Sequence, residues 1–181
     1  YGILAAFHQY DMPVPPELQV AAEIALSQRC LDAVRGLERE MGETVGDGGT
    51  LDQAYLSDLE AIATEAHALH CQLDIPEARK ILEGMIGRSL WHLLHEDDTA
   101  TCTIHAQRID RSIALGEQLK LGLCLDRAQE LYFAWLYGQV GRWSTGSQPL
   151  TPSSPIAHLF ALASRLKVDL RHQVSDIAFP N

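Results

Sequence analysis

The chain has 181 residues, of which 46% are hydrophobic, and its formal net charge is −10 with the histidines neutral. This length suits one domain, or two very small ones, and the apolar share is enough for a core. The acidic balance argues against a nucleic-acid groove or an anionic membrane surface, because both require clustered lysine and arginine. No apolar run approaches the roughly 20 residues of a membrane-spanning helix. We therefore expect residues 1–181 to form a single helical domain with neither a nucleic acid nor a membrane as partner.

The start of the chain and its cysteines indicate the compartment. Tyr1 is neither an initiator methionine nor part of a basic leader, so we expect a C-terminal fragment of a longer protein without a signal peptide. The four cysteines, at positions 30, 71, 102 and 124, form no C-x-x-C pair. Thiols spaced this widely among helix-forming residues are typical of reduced side chains in a cytoplasmic protein.

Apolar residues recur every three or four positions through almost every long segment, which is the pattern of amphipathic helices. No segment has the alternation rich in Val, Ile and Thr that a strand ladder would show. The sequence therefore predicts an all-α fold, with about six main helices in a bundle joined by short extended corners. The predicted helices cover residues 17–40, 51–69, 76–93, 101–119, 126–139 and 155–166, and residues 1–9 are the end of another.

A second pattern recurs four times between the predicted helices. Each copy places apolar side chains at alternate positions, and three of the four copies are followed by a helix-start signal, either a proline or an acidic residue. We interpret each copy as a corner, in which one helix ends, an extended segment buries alternate side chains and the next helix starts at an angle. The uneven spacing of the copies argues against a regular solenoid. They are residues 10–14, 71–75, 121–125 and 166–170, and the side chains expected in the core are Leu73, Ile75, Leu123 and Leu125.

Two further features concern packing. Gly84 and Gly87 lie inside the helix predicted after Pro76. Each lowers helix stability by roughly 1 kcal/mol relative to alanine, so we expect close helix packing to compensate. The run from Leu131 to Tyr137 is apolar on all sides, which predicts a central, buried helix.

Two pairs of histidines could bind a metal. His67 and His70 are three residues apart in one predicted helix, and His92 and His95 are three apart in the next. Such pairs can share a helix face and bind a transition metal, but H-x-x-H matches no zinc signature with a defined mechanism. We expect partly exposed helix-face histidines and no metal or other cofactor, with a four-histidine metal site as the weaker alternative.

A long irregular loop is predicted over residues 141–154, between the last two helices. Arg142 and Trp143 lie in it, outside any apolar stripe. A tryptophan beside an arginine can stack on a sugar ring or a partner protein, so these two are the candidate binding residues; the alternative is that Trp143 folds back onto the core. Trp91 and Trp135 lie in predicted helices, where tryptophan is more often part of the core.

Two segments carry a resemblance to a known family. The first is PVPPELQVAAEIAL, residues 13–26, and the second is residues 119–133, in which Asp126, Ala128 and Gln129 precede Tyr132 and Phe133. Together they resemble the helical C-terminal region that follows the catalytic domain in a subgroup of bacterial glycoside hydrolase family 57 proteins, which include α-amylase-like and α-mannosidase-like members. The similarity spans residues 1–137.

The resemblance implies a non-catalytic accessory domain. Its partner would be the upstream catalytic domain of the same chain, with carbohydrate as a further candidate ligand. The family's catalytic barrel and nucleophile region have no counterpart in these 181 residues, so no catalytic residue is carried over. Whether the chain itself is an enzyme stays open. The alternatives are a stand-alone helical module for protein interaction or dimerisation and, with less support, a small metal-dependent enzyme.

Overall fold

The computed structural model describes residues 15–43, 51–95, 98–143 and 161–168. Every regular element in these ranges is helical, and none of them is a strand. The prediction of an all-α fold with about six main helices is therefore confirmed. The helices are α1 (Pro16–Glu43), α2 (Leu51–Ala68), α3 (Pro76–His95), α4 (Thr99–Gln118) and α5 (Asp126–Trp143), and a further helical segment covers residues 161–165.

Helix α5 corrects the predicted start of the irregular loop. It continues through Gly141 to Trp143, so Arg142 and Trp143 lie in its last turn and not in a loop. Nothing in the sequence forces the helix to end at Gly141, because a single glycine only weakens a helix and the next proline comes at position 149. The rest of the predicted loop, residues 144–154, lies outside the described ranges, as do the segment 1–14 and the fourth corner beyond residue 168.

The chain divides into two compact units, residues 1–82 with 115–122 and residues 83–114 with 123–181. In the first unit α1 and α2 pack against each other. Helix α1 buries a stripe at the three- and four-residue spacing expected of an amphipathic helix. Its members are Leu26, Cys30, Val34 and Leu37.

Arg29 and a glycine also join α1 to α2. The Arg29 guanidinium donates to the carboxylates of Asp58, at 3.1 Å, and Glu65, at 2.9 Å. Gly36 is buried in α1, and the Tyr55 ring lies so close to its backbone that an added Cβ would be 2.7 Å from Tyr55 Cζ. The glycine therefore makes room for an aromatic ring.

The close packing expected at Gly84 and Gly87 is not found among the described residues. Leaving aside the backbone of α3 itself, a Cβ at Gly87 would meet nothing within 4 Å there, and one at Gly84 would lie 3.7 Å from Arg88 Nη1. Packing within the described chain therefore does not account for these two glycines, whereas it does account for Gly36.

The second unit has one continuous core. Its members come from α3, α4, α5 and the segment 161–168, and α5 contributes Tyr132 and Leu136, which are 1% and 2% exposed. The expectation that α5 is buried on all sides is wrong, since Ala134 and Tyr137 are exposed and Tyr137 has 60% of its surface accessible. An apolar run does not enclose a helix when only one of its faces meets neighbouring elements.

Three of the corners share one backbone device. His70, Lys120 and Lys167 follow helix ends with φ of 53°, 53° and 57°. After each of them, the next N–H donates to a carbonyl five residues back, as Leu121 does to Gly116 at 3.0 Å. This is the Schellman arrangement, in which a left-handed residue ends a helix and satisfies its last carbonyls. The other two such bonds join Cys71 to Ala66 and Val168 to Ala163.

The corners then bury alternate side chains, with one exception. Leu73, Ile75 and Leu125 are 7–8% exposed, so their predicted burial is confirmed. Leu123 is only partly buried, which corrects the prediction for that residue. Gly122 has φ of +62°, and this turn interrupts the extended backbone that would otherwise place Leu121, Leu123 and Leu125 on one face.

Candidate functional site

The residues predicted to bind a ligand, Arg142 and Trp143, are placed only by their backbone. Both belong to the last turn of α5, and their side chains lie outside the described part of the structure. Neither the contact role nor the core-capping role of Trp143 is therefore tested.

His67 and His70 border an open groove of about 1090 Å³ in the first unit. His67 lies in the last turn of α2, and His70 is the left-handed residue just before the corner at residues 71–75. Within the described ranges, no group of three or more His, Cys, Asp or Glu side chains is arranged to hold a metal ion. The groove is lined by Glu60, Ala63, Thr64, Ala66, His67, His70, Cys71, Gln72, Leu73, Asp74, Gln118, Leu119, Lys120 and Leu121.

Cys71 is the one thiol in that lining, and its surroundings oppose ionisation. Burial raises the pKa of the Cys71 thiol, and the nearby Glu23 and Glu65 carboxylates raise it further. A cysteine nucleophile reacts as the thiolate and needs a lowered pKa. The groove thus presents Cys71 as a neutral polar group, not as an activated nucleophile. Cys30 in the α1 stripe is similar, because burial and then Asp58 raise its pKa to about 11.

His92 and His95 belong to a cluster of four rings in the second unit, which we call the ring cluster: Trp91, His92, His95 and His105. The His95 ring stacks on the Trp91 indole, with centroids 4.5 Å apart and planes at 24°. The His92 ring stands at 85° to the same indole with centroids 5.2 Å apart, and it stacks on His105 of α4 at 5.0 Å and 11°. Trp91, expected in the core, is 50% exposed, and Trp135 is partly buried.

Asp98, between α3 and α4, has a structural role. The Asp98 carboxylate accepts hydrogen bonds from the Thr101 backbone N–H, at 2.8 Å, and from the Thr101 hydroxyl, at 2.7 Å. Asp98 therefore caps the N-terminus of α4, and these bonds lower the pKa of its carboxyl group. It is not available as a metal ligand without breaking the cap.

Helix α1 carries an exposed aliphatic pair that the sequence reasoning missed. Val20 and Ile24 are one turn apart, and 54% and 66% of their surfaces are accessible. We call this pair the α1 ridge; Ala21 and Ala25 beside it are exposed as well. The signal was present in the helical phase, because at 100° per residue Ile24 points about 160° away from Leu26 of the buried stripe.

The fold and these surfaces define a domain of helices joined by corners, with an exposed ridge on α1, an open groove and an exposed ring cluster. None of the helices described is both long enough and apolar enough to cross a membrane. The chain matches no family model, no curated protein and no solved structure. The resemblance to the family 57 accessory region therefore stays a prediction.

Proposed function

We propose that the chain is a non-catalytic accessory domain of a carbohydrate-active enzyme and docks on the catalytic domain of the same polypeptide through the α1 ridge. The observation that carries this proposal is the exposure of Val20 and Ile24. Both lie in the segment 13–26, which carries part of the family resemblance, although the resemblance rests on other positions of that segment. Packing within the described chain does not use these two side chains, so docking supplies a reason for them.

The energetics of the ridge suit a docking contact. Complete burial of a Val or Ile side chain contributes about 1.5–3 kcal/mol. Since 54% of Val20 and 66% of Ile24 is exposed, covering what remains would contribute about 1–2 kcal/mol for each side chain. Polar residues border the ridge, since Glu17 and Gln28 are exposed on the same helix. An apolar centre with a polar rim is the usual anatomy of a protein interface.

The test uses the full-length polypeptide that contains the chain. Serine replaces both ridge residues, Val20→Ser with Ile24→Ser, and the matched control is Ile104→Ser, because Ile104 of α4 is 47% exposed. We expect the double variant to separate the unfolding of this domain from that of the catalytic domain and to increase the radius of gyration measured by X-ray scattering. The control should behave like the wild type.

Three results would count against the proposal. The full-length polypeptide could contain no glycoside hydrolase domain upstream of Tyr1. The double variant could also show the same unfolding and the same radius of gyration as Ile104→Ser. The purified chain could also hydrolyse starch or an aryl glycoside by itself. A concentration-dependent dimer in ultracentrifugation, lost in the double variant, would instead assign the ridge to self-association, which is the alternative function.

A further inference from the structure

The ring cluster holds an indole in place while leaving much of it exposed. His95 stacks on one face of Trp91, and the His92 ring stands at 85° to the indole. The 50% of Trp91 that remains accessible therefore belongs to the part of the residue that these two rings do not cover. A tryptophan held in place by a stacked ring offers a fixed aromatic surface, and tryptophan is enriched where proteins make contact with partners.

A hydrogen bond fixes the chemistry of His95 beside this indole. His95 Nδ1 lies 2.8 Å from the carbonyl oxygen of Trp91. A carbonyl can only accept, so Nδ1 carries a hydrogen, and whenever the ring is neutral Nε2 is therefore an acceptor. His95 is exposed, so the cluster offers a flat apolar face next to an acceptor that suits a hydroxyl donor.

Two residues without side chains lie near Trp91 on the same side of α3. At 100° per residue, Gly84 and Gly87 lie within about 40° of Trp91 around α3, and Gly84 lies about 10 Å away along the axis. A Cβ at Gly87 would meet no atom within 4 Å, and the Arg88 guanidinium reaches back beside Gly84. Glycine allows a ligand to approach the backbone closely, which would explain two residues that weaken the helix without serving its packing.

We propose that this surface of α3 binds a neutral oligosaccharide of linked pyranose rings. The C–H face of one ring stacks on the electron-rich face of Trp91, one hydroxyl donates to His95 Nε2, and the adjoining ring lies over Gly87 towards the Arg88 guanidinium, whose N–H groups can donate to hydroxyls. The net charge of −10 disfavours an anionic glycan by repulsion.

A docked protein helix fits this surface less well than a glycan. Trp91 supplies the only large apolar side chain among Gly84, Gly87, Arg88, Trp91 and His95, whereas helix docking relies on several aliphatic or aromatic anchors. The inference goes beyond the proposed docking function and uses different residues, so the two can fail separately.

The test titrates the chain with maltoheptaose, cellohexaose and mannohexaose, using calorimetry together with tryptophan fluorescence. We expect at least one to bind, and Trp91→Ala to weaken that binding about tenfold or more, since tenfold corresponds to the loss of one good aromatic contact. Gly87→Leu, placed where the structure leaves open space, should weaken binding similarly while the circular dichroism spectrum stays unchanged. The matched control is Tyr137→Ala, because Tyr137 is an aromatic residue with 60% exposure outside the ring cluster.

The outcomes separate cleanly. Loss of binding in both Trp91→Ala and Gly87→Leu, with Tyr137→Ala like the wild type, supports the site. The proposal is overturned if none of the three oligosaccharides binds at about 10 mM, well above the ~1 mM Kd of a weak site, or if binding survives both substitutions. Capture of a protein segment by the same surface, weakened by Trp91→Ala, would also overturn it.

Discussion

Gly36→Ala tests whether the contact between α1 and Tyr55 is as tight as the structure shows. The new Cβ would overlap Tyr55 Cε1, and it would lie 2.7 Å from Cζ and 3.0 Å from Cδ1. Real Cβ atoms essentially never come within 3.0 Å of another side chain, so the tyrosine ring or the two helices must move.

Two opposing effects set the magnitude. Replacing glycine by alanine inside a helix stabilises it by roughly 1 kcal/mol, whereas overpacking a well-packed contact costs typically 1–3 kcal/mol. We therefore expect Gly36→Ala to lower the free energy of unfolding by about 0–2 kcal/mol. Gly87→Ala is the matched control, because its Cβ meets nothing within 4 Å, and it should raise the free energy of unfolding by up to about 1 kcal/mol.

A double-mutant cycle with Tyr55→Ala makes the test independent of the baseline. Without the ring, Gly36→Ala should become stabilising, so the coupling free energy should be about 1–3 kcal/mol in magnitude. Urea unfolding followed by far-UV circular dichroism measures all four corners of the cycle. The reasoning is refuted if Gly36→Ala stabilises the wild type as much as Gly87→Ala does, or if the coupling is near zero.

Three further predictions concern the corners and the α4 cap. Leu125→Ala should cost about 2–5 kcal/mol and Leu123→Ala clearly less, since only Leu125 is fully buried; equal urea midpoints would contradict this. Lys120→Gly should stabilise the chain by about 1 kcal/mol by relieving the left-handed backbone, whereas Lys120→Ala, which keeps the Cβ, should not. Asp98→Ala should destabilise α4, and Asp98→Asn should largely preserve the cap. The hydrogen bonds lower the pKa of the Asp98 carboxyl group in the folded state. The contribution of Asp98 to folding stability is therefore complete above its ordinary pKa of about 3.9 and is lost as the pH falls through the folded pKa. The difference in melting temperature between the wild type and Asp98→Ala should accordingly be smaller in acid than at neutral pH.

The corners show how far a single sequence can go. Alternating apolar residues that follow a helical stripe and precede Pro76 or Asp126 are enough to predict a break between two helices at each point. The left-handed residue that ends the helix before each corner is not predicted by this pattern. Helices that end in a left-handed residue usually use glycine there, and His70 and Lys120 in that position carry no such signal. The same gap explains the error at Leu123, since the effect of Gly122 depends on a φ that composition does not reveal.

Failures at α5 and Trp91 have a different cause. The hydrophobicity of a side chain predicts that its burial is favourable, but it does not predict whether a neighbouring element is in place to bury it. The apolar run Leu131–Tyr137 predicts an enclosed helix, yet Tyr137 is 60% exposed; the helical position of Trp91 predicts a core residue, yet half of it is accessible. Both errors come from counting apolar residues without asking how many faces of the helix meet another element.

Helical phase offers part of what hydrophobicity lacks. On α1 the buried stripe through Leu26 and Leu37 shows which side of the helix faces the core. A large apolar residue on another side must be covered by a partner or stay exposed to solvent. Ile24 fails the phase test by about 160°, and its exposure of 66% agrees. Trp91 fails it against Leu90 and Leu93 of α3, which are fully buried. Neither Ile24 nor Trp91 contributes much to the core, so selection for stability alone does not explain either residue. A binding role for the α1 ridge and for the ring cluster would explain why both side chains lie away from the buried face of their helix.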